Sequence, residues 1–430
     1  MSLDARAARW RYLVLLGLRW LPVGFLIPIT VLLPLSRGLS LSQVGIAFAA
    51  QGVLVLALEL PTGGLSDSWG RRPVLLLSTI VGIAAIGLLV VAESFVEFLV
   101  VYALQGVYRA LDSGPLEAWY VDATLAADPT AKLERGLSAG SAMLSGAIAV
   151  GALASGGLIA LDPFTSVDTL TLPVLVAVGL TVVSAVAVAI LMTEHRAGPD
   201  RTGLLASVRK VPRTVREGAG LVRGNRVLLA LIGVELFWGF GMVTFEGLMP
   251  VRLAEVVDST DRAAALMGPV SSAAWFASAA GAACITVVSK RLGIAPTAAV
   301  TRVLQGLAVV LMGVLAGPVG LVVAYLACYT IHGASNPLHA TLLHREVTAE
   351  HRSTLISLNS MVSQPAGAVG TVVLTALADG TSITTALVAG GVVLAVAAPL
   401  YVPAWRAERV RRAGGAEAVA VAPEDVAPMR

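Results

Sequence analysis

The chain has 430 residues, of which 57% are hydrophobic and 13% are charged, and its mean hydropathy is +0.83. Soluble domains carry roughly 25% charged residues, so the composition excludes a typical water-soluble enzyme and indicates a protein that lies in a membrane. The balance of 30 Lys and Arg against 27 Asp and Glu gives no reason to expect a nucleic-acid partner. Both cysteines, Cys284 and Cys328, lie in apolar runs, so neither disulfides nor a cysteine metal site is predicted.

Hydropathy predicts twelve membrane-spanning helices in two groups of six. A window of about 19 residues finds apolar segments at 12–35, 41–62, 73–92, 96–119, 137–160, 170–192, 227–250, 265–288, 296–316, 319–342, 354–377 and 383–403. The first segment has no small-residue cleavage site, so we expect it to remain as a span. The fourth is the least certain to cross because three charged residues interrupt it, Arg109, Asp112 and Glu117.

Basic residues are distributed very unevenly between the two sets of loops. With the N-terminus in the cytoplasm, 24 Lys and Arg residues fall in cytoplasmic segments, and only Arg37, Arg252 and Arg262 fall outside. Cytoplasmic loops of membrane proteins carry an excess of Lys and Arg. The distribution therefore predicts a multi-pass protein of the cytoplasmic membrane with an even number of spans and both termini inside.

These segments divide the chain into four regions. Residues 1–195 form a predicted N-terminal six-helix bundle, and residues 227–405 form a C-terminal one. Between them, residues 196–226 carry eight Lys or Arg residues and are predicted to form a basic helix along the cytoplasmic lipid headgroups. Residues 406–430 form a cytoplasmic tail that we expect to be disordered. We expect the protein to be a monomer in the bilayer.

The two halves of the chain resemble each other. The segment 113–122, S-G-P-L-E-A-W-Y-V-D, is echoed by 335–344, S-N-P-L-H-A-T-L-L-H, at an offset of 222. Gly17 recurs as Gly233 at an offset of 216. With six spans in each half, these matches predict parallel repeats related by an axis along the membrane normal, which enclose a central cavity.

The loop between the second and third spans carries a recognisable motif. Residues 63–72 read G-G-L-S-D-S-W-G-R-R, which fits G-x-x-x-D-R-x-G-R-R at every place except Ser68. The sequence therefore resembles the major facilitator superfamily over essentially the whole chain. The resemblance implies an all-α membrane protein with twelve transmembrane helices in two six-helix bundles. It also implies a cytoplasmic gate motif formed by Gly63, Asp67, Gly70, Arg71, Arg72 and Asp122. A basic loop that only sets topology is the alternative.

Two further segments resemble the branch of the superfamily that contains drug and macrolide exporters. They are 59–63, E-L-P-T-G, and 112–119, D-S-G-P-L-E-A-W. The fifth span departs from the exporter pattern, because Gly146 is followed by Ala147 where the pattern has Gly-Pro. Proton-for-drug antiport therefore stays an open expectation.

Several ionisable residues lie at a similar depth within the predicted spans. A charge at the bilayer centre costs about 2.5 to 3.5 kcal/mol on insertion scales, so such residues usually face a partner or a watery cavity. A rise of about 1.5 Å per residue places five of them roughly 12 to 16 Å from the cytoplasmic end. They are Arg19, Arg109, Asp112, Glu235 and His332. We expect these groups, from spans one, four, seven and ten, to form one layer around a common chamber.

Roles for these residues follow from their charge. We predict that Glu235 and Asp112 carry coupling protons. The predicted substrate-binding residues are Arg19, Arg109, His332 and Asn336. The structural alternatives are an Arg109–Asp112 pair three residues apart on one helix and an interhelical hydrogen bond at Glu235. We expect Glu246, near the outer end of its span, to reach water by snorkelling, as Arg302 could also do near the inner end.

The sequence predicts neither a metal nor a cofactor. His332, Asn336 and His339 share a helix face, but the two histidines are about 10 Å apart along it and no third ligand is nearby. No phosphate-binding loop or Ser/His/Asp pattern appears. We therefore expect these side chains to line a cavity or to join helices by hydrogen bonds.

These features predict a secondary active transporter rather than an enzyme. The expected activity is proton-coupled efflux of a hydrophobic or amphipathic small molecule by alternating access. Uptake of a small organic anion is the main alternative, because Arg19 and Arg109 would favour it. A membrane-embedded enzyme is a remote alternative, since His344 and Glu346 are the only residues that suggest one.

Overall fold

The computed structural model describes residues 4–164, 166–193, 216, 220, 222–347 and 352–420. Most of the predicted linker helix, residues 196–226, lies outside the described residues. So do residues 421–430 of the predicted tail.

The described chain is helical almost throughout, and its helices form six spans in each half. In the N-terminal half, span 1 comprises Ala5–Leu26, Ile27–Ile29 and Leu32–Ser36; span 2 is Leu41–Trp69, span 3 Arg71–Val91, span 4 Phe95–Asp112 and Pro115–Ala127, span 5 Glu134–Leu161 and span 6 Leu172–Leu191. In the C-terminal half, span 7 comprises Arg226–Val243, Thr244–Leu248 and Met249–Val257; span 8 is Thr260–Leu292, span 9 Ile294–Val314, span 10 Pro318–Arg345, span 11 Arg352–Gly380 and span 12 Ile383–Val396, Ala398–Tyr401 and Val402–Ala420.

The predicted twelve-helix membrane fold is confirmed. Among the described residues, eleven helices are long and apolar enough to cross a membrane. Span 4 is the twelfth: charged residues interrupt its apolar run, and the helix breaks in two at Ser113 and Gly114. Spans 1 to 6 pack mainly on one another, as do spans 7 to 12, so the chain forms two six-helix bundles.

The ends of the spans define two faces of the molecule. We call the face at which span 1 begins and spans 2 and 10 end the terminal face, and the other the distal face. Serine residues cap four helices that start at the distal face, namely Ser40, Ser94, Ser259 and Ser382. Each accepts a hydrogen bond from an otherwise unpaired first-turn N–H, which fixes where the helix begins.

The break in span 4 is stabilised by two neighbouring spans. Gly114 has a φ of +95°, a left-handed conformation that favours glycine, and Pro115 starts the second helix. Carbonyl groups at the end of the first helix lack partners in their own helix. Thr62 donates to the carbonyl of Ala110 at 2.8 Å, and Arg19 donates to that of Asp112 at 2.8 Å.

The two bundles meet near the distal face, where spans 5 and 8 and spans 2 and 11 cross. At the first crossing, a Cβ on Gly156 would lie 2.8 Å from the Cα of Gly268. At the second, the N–H and the hydroxyl of Ser42 donate to one carboxylate oxygen of Asp379 at 2.7 and 2.5 Å. Toward the terminal face, Ser141 of span 5 and other residues at the terminal ends of spans 5 and 8 are exposed. The bundles therefore touch on the distal side and separate on the terminal side.

The last helix continues well past the membrane-spanning part of span 12. Its helical structure reaches Ala420, so the part of the predicted tail up to that residue is helical and not disordered. The Glu408 carboxylate accepts hydrogen bonds from the N–H groups of Ile294 at 3.1 Å and Ala295 at 2.9 Å. This contact supplies the N-terminal cap of span 9 and explains why the tail is ordered there.

Candidate functional site

A cavity of about 440 Å³ lies in the C-terminal bundle between spans 7, 10 and 11. It extends toward the terminal face, because residues near the ends of spans 10 and 11 line it. Its polar lining includes Glu235, Asn336, His339, Asn359, Ser363 and Gln364. Two predicted site residues, Glu235 and Asn336, are therefore brought together in one wall.

Glu235 contacts a buried histidine that sequence reasoning assigned only to a helix face. The distance from Glu235 Oε1 to His339 Nε2 is 3.0 Å, and both side chains are less than 8% exposed. The other ring nitrogen of His339, Nδ1, is 3.0 Å from the hydroxyl of Tyr401. Asn359 of span 11 lines the same cavity. Spans 7, 10, 11 and 12 thus meet around this pair.

A buried arginine adjoins this network. Arg302 of span 9 is 1% exposed, which excludes the predicted snorkelling. Its Nη1 donates to Gln305 at 2.8 Å, and its guanidinium lies close to Tyr401. The negative charge of Glu235 acts on the same group and balances its charge. Arg302, Tyr401 and Asn359 are site residues that the sequence analysis missed. The one available signal was the charge of Arg302 within an apolar span.

The N-terminal bundle contains a separate charge pair. Asp112 is 7% exposed and forms an ion pair with Arg19, and the hydroxyl of Ser78 donates to it at 3.3 Å. The predicted Arg109–Asp112 pair is wrong, because Arg109 is exposed and Asp112 is buried. The two residues lie on different faces of the helix, although they are only three positions apart.

Three of the ionisable groups of the predicted layer are paired within their own bundles, and the common depth of the five groups stays a prediction. Arg19 and Asp112 find their partners within the N-terminal bundle, and Glu235 finds its partners within the C-terminal bundle. Partners from spans 3, 9, 11 and 12 satisfy charges that sequence reasoning had assigned to a shared chamber. Of the five groups, Arg109 is the most exposed.

His332 lies in an aromatic cluster at the centre of span 10. Its ring is 5.8 Å from that of Trp238 and nearly parallel to it, and 5.6 Å from that of Phe245. Asn336, one turn further on, is 3.3 Å from Nε2 of His332. The predicted His332 and Asn336 are thus adjacent. Among the described residues, no group of three His, Cys, Asp or Glu side chains could hold a metal ion.

Glu246 lies deeper in the protein than its sequence position suggested. Span 7 continues to Val257, so Glu246 is inside the span and not at its outer end. Its carboxylate accepts a hydrogen bond from the hydroxyl of Tyr329 at 2.8 Å. The expectation that it reaches water by snorkelling stays a prediction, and Glu246 is exposed in the structure.

The gate motif lies at the turn between spans 2 and 3, on the terminal face. Gly70 has a φ of +97°, which permits the tight turn. Arg71 forms an ion pair with Asp122 of span 4, and Arg72 donates to the carbonyl of Ala189 at 2.6 Å. Gly63 lies within the helix of span 2, and the side chain of Asp67 is outside what the structure describes. The observed contacts join spans 3, 4 and 6 of the N-terminal bundle.

Comparison with known families identifies the chain. The family model described as Major Facilitator Superfamily matches residues 13–371, which is most of this chain. The chain belongs to this superfamily. Its members are transporters, which agrees with the cavity and the two-bundle architecture. Comparison with curated proteins finds no significant match.

Solved structures show the same fold at low sequence identity. The nucleoside transporter NupG has a TM-score of 0.74 at 11% identity, covering 92% of this chain and 98% of its own. The peptide transporter POT has a TM-score of 0.73 at 13% identity, covering 95% and 99%. A POT family transporter in complex with 5-aminolevulinic acid has a TM-score of 0.66 at 13% identity, covering 92% and 94%. At this identity the similarity shows the fold and not the substrate.

Proposed function

We propose that this major facilitator is a proton-coupled exporter of hydrophobic or amphipathic small molecules. The observation that carries the proposal is the Glu235–His339 pair, because a buried carboxylate and imidazole in contact form a protonatable unit in the cavity wall. Intramembrane ionisable residues commonly mark proton relays. The rings of Trp238 and His332 next to this cavity supply apolar surface for the substrate.

The pair has two charge arrangements that differ by one proton. When Glu235 is ionised and His339 is neutral, Nε2–H donates to the carboxylate and Nδ1 accepts from Tyr401. When a proton is added, the imidazolium donates from both nitrogens, and Tyr401 becomes the acceptor. Arg302 stays charged in both arrangements, so the extra proton leaves the buried cluster with a net positive charge.

The arrangement of the bundles supports loading from the terminal face. The bundles touch on the distal side, through Ser42 and Asp379, and separate on the terminal side. With the terminal face in the cytoplasm, as the basic residues indicate, this conformation is open inward. An exporter takes up its substrate in this conformation and releases it after the bundles rock about the central site.

Uptake of a small organic anion is the second candidate. The exposed guanidinium of Arg109 favours it, because the other N-terminal arginine of the site, Arg19, is engaged by Asp112. The structural neighbours include nucleoside and peptide transporters, which are consistent with a polar substrate. An anion would have to bind at Arg109 rather than at the Arg19 pair.

Reconstituted vesicles distinguish these functions. With the terminal face outside and the lumen acidic, an exporter that exchanges protons should accumulate ethidium, a permanently charged amphipathic dye, in the lumen. Glu235→Gln should abolish the gradient-driven part of ethidium accumulation, whereas Glu93→Gln, a variant in an exposed loop, should retain it. Ethidium accumulation that is equal with and without the proton gradient would contradict proton coupling. Gradient-driven accumulation of an aromatic carboxylate in vesicles of the opposite orientation would support uptake instead.

A further inference from the structure

Glu246 is placed by an unusual turn in span 7. Residues Thr244–Leu248 form a π-helical turn between two α-helical segments. Such turns insert an extra residue, which re-aims the side chains that follow, and they are frequent at functional sites. Phe245 and Leu248 within the turn are 0% exposed, yet Glu246 between them is exposed. The turn therefore presents one carboxylate from an otherwise buried stretch.

The accessible side of Glu246 faces the space between the bundles. One carboxylate oxygen of Glu246 accepts a hydrogen bond from the hydroxyl of Tyr329 on span 10. Arg109 on the opposite bundle lies within electrostatic range of the same carboxylate. Among the described residues, no cation lies within 4.0 Å of this carboxylate. A carboxylate has about four lone-pair sites, and the Tyr329 hydroxyl fills one. Glu246 can therefore accept further donors from a ligand.

Aromatic rings surround this carboxylate and connect it with the cavity. Tyr329, which holds Glu246, lies 5.7 Å from Phe245 and 6.1 Å from His332. Trp238 lies nearly parallel to His332, with 10° between the planes, and also lines the cavity at Glu235. A planar ligand that enters this cavity therefore meets Trp238, and His332 lies beside that ring in the direction of Glu246.

We propose that Glu246 and these rings form the recognition site for a planar aromatic compound that carries a protonated amine. The ammonium group donates to Glu246 beside the Tyr329 hydroxyl, and the ring packs against Trp238 and His332. Aromatic faces favour such contacts, and an ammonium–carboxylate hydrogen bond is stronger than a neutral one. That the bound compound is also carried across the membrane rests on the proposed function.

Three naphthalene probes of equal ring size test this assignment by equilibrium dialysis with the purified full chain, without any gradient. They are 1-naphthylmethylamine, 1-naphthylmethanol and 1-naphthoate. The amine should bind about tenfold more tightly than the alcohol, because only the amine forms a charge-assisted hydrogen bond. Glu246→Gln should remove that difference and leave alcohol binding unchanged, whereas Glu246→Asp should retain part of it. Arg109→Gln should tighten amine binding several-fold, since it removes a like charge facing the same space.

Each other result overturns the assignment. If the amine and the alcohol bind equally, or if the preference survives in a folded Glu246→Gln variant, the carboxylate does not recognise the ligand. If naphthoate binds most tightly and Arg109→Gln weakens it, the site is an anion site. If no probe binds, the rings do not form a binding surface. Because dialysis needs no proton gradient, these outcomes are independent of the vesicle experiment, which alone tests transport.

Discussion

At the scale of single residues, Glu235 and Arg302 depend on each other. Both are buried, at 6% and 1% exposure, and each lies within a hydrogen-bonded network that includes Tyr401 or His339. A buried charge is tolerated when an opposite charge balances it, and removal of one partner leaves the other uncompensated. The carboxylate of the Glu235–His339 pair, which we propose to carry protons, is therefore also part of what holds the C-terminal bundle together.

Glu235→Gln should lower the free energy of unfolding by about 3 to 5 kcal/mol, because it leaves the charge of Arg302 without its balance. Thermal unfolding of the purified protein measures this change. The double variant Glu235→Gln with Arg302→Met should recover most of the loss, since it removes both charges. The exposed variant Glu93→Gln should change stability by less than about 0.5 kcal/mol.

The double variant also separates the two roles of Glu235. It should fold well and yet fail to couple ethidium transport to the proton gradient. A stable double variant that still shows gradient-driven transport would leave Glu235 with a structural role only.

At the scale of elements, spans 4 and 10 show how two similar segments adopt different structures. Pro115 and Pro337 correspond in the repeat, but span 4 breaks before its proline while span 10 continues as one helix. Gly114 adopts a φ of +95°, whereas Asn336 at the equivalent position is helical. The break frees carbonyl groups that bind Arg19 and Thr62, and this is why Arg19 is held in the N-terminal bundle.

Gly114→Ala should destabilise the protein by about 1 to 2 kcal/mol, because an L-residue with a side chain is strained in the left-handed region. The melting temperature of the purified variant is the measurement. Gly87→Ala is the matched control, since Gly87 lies inside a helix with open space around it and has no positive φ. Alanine there should be neutral or slightly stabilising. Equal losses in both variants would show that the conformation of Gly114 is not the cause.

The crossing of spans 5 and 8 requires close backbone contact. A Cβ at Gly156 would lie 2.6 Å from the carbonyl oxygen of Ala265, whereas one at Gly157 would meet nothing within 4 Å. Gly156→Ala should therefore separate the bundles on the distal side and populate the conformation that is closed at the terminal face. Gly157→Ala should leave the contact between the bundles unchanged.

Distances between spin labels at Ser141→Cys and Thr286→Cys, in a background without Cys284 and Cys328, report this change. These positions lie near the terminal ends of spans 5 and 8 and are exposed. A shorter distance population should grow in Gly156→Ala and stay at the wild-type level in Gly157→Ala. An unchanged distribution in Gly156→Ala would mean that this crossing does not control the opening.

The sequence predicts the number of spans and the two bundles well because both depend on hydropathy along a single helix. It predicts the partners of buried charges poorly, because those come from distant spans. Arg19 reaches Asp112 from another helix, whereas the neighbour three residues away on the same helix, Arg109, is exposed. Likewise, nothing near Glu235 in the sequence indicates Tyr401. The π-helical turn around Glu246 was also not predicted, because hydropathy carries no signal for it.

At the scale of the whole molecule, a hydrogen-bonded contact between the bundles holds the distal side closed. Asp379 at the end of span 11 accepts from Ser42 in the first turn of span 2, where helix N–H groups lack partners and favour a negative charge. The contact joins the two bundles directly. It belongs to the conformation in the structure and must break before the distal side can open.

Asp379→Ala should shift the population toward the conformation that is open at the distal face, by roughly tenfold, because hydrogen bonds to a charged group contribute about 1.5 to 3 kcal/mol. The spin-label distances described above measure this shift. Glu255→Ala is the control, because Glu255 is an acid of the distal side whose ion pair, with Arg252, is within its own helix. A similar shift in both variants would show that the loss of distal negative charge, and not the Ser42 contact, is responsible.

The network around Arg302 also has a consequence for biosynthesis. Its members enter the bilayer in the order Glu235, Arg302, His339, Asn359 and Tyr401. Arg302 is thus inserted before the tyrosine that lies beside it, and Glu408, which caps span 9, leaves the ribosome later still. The C-terminal bundle can complete its polar interior only after Tyr401 has been translated, and a chain truncated before Tyr401 should be recognised as misfolded and degraded.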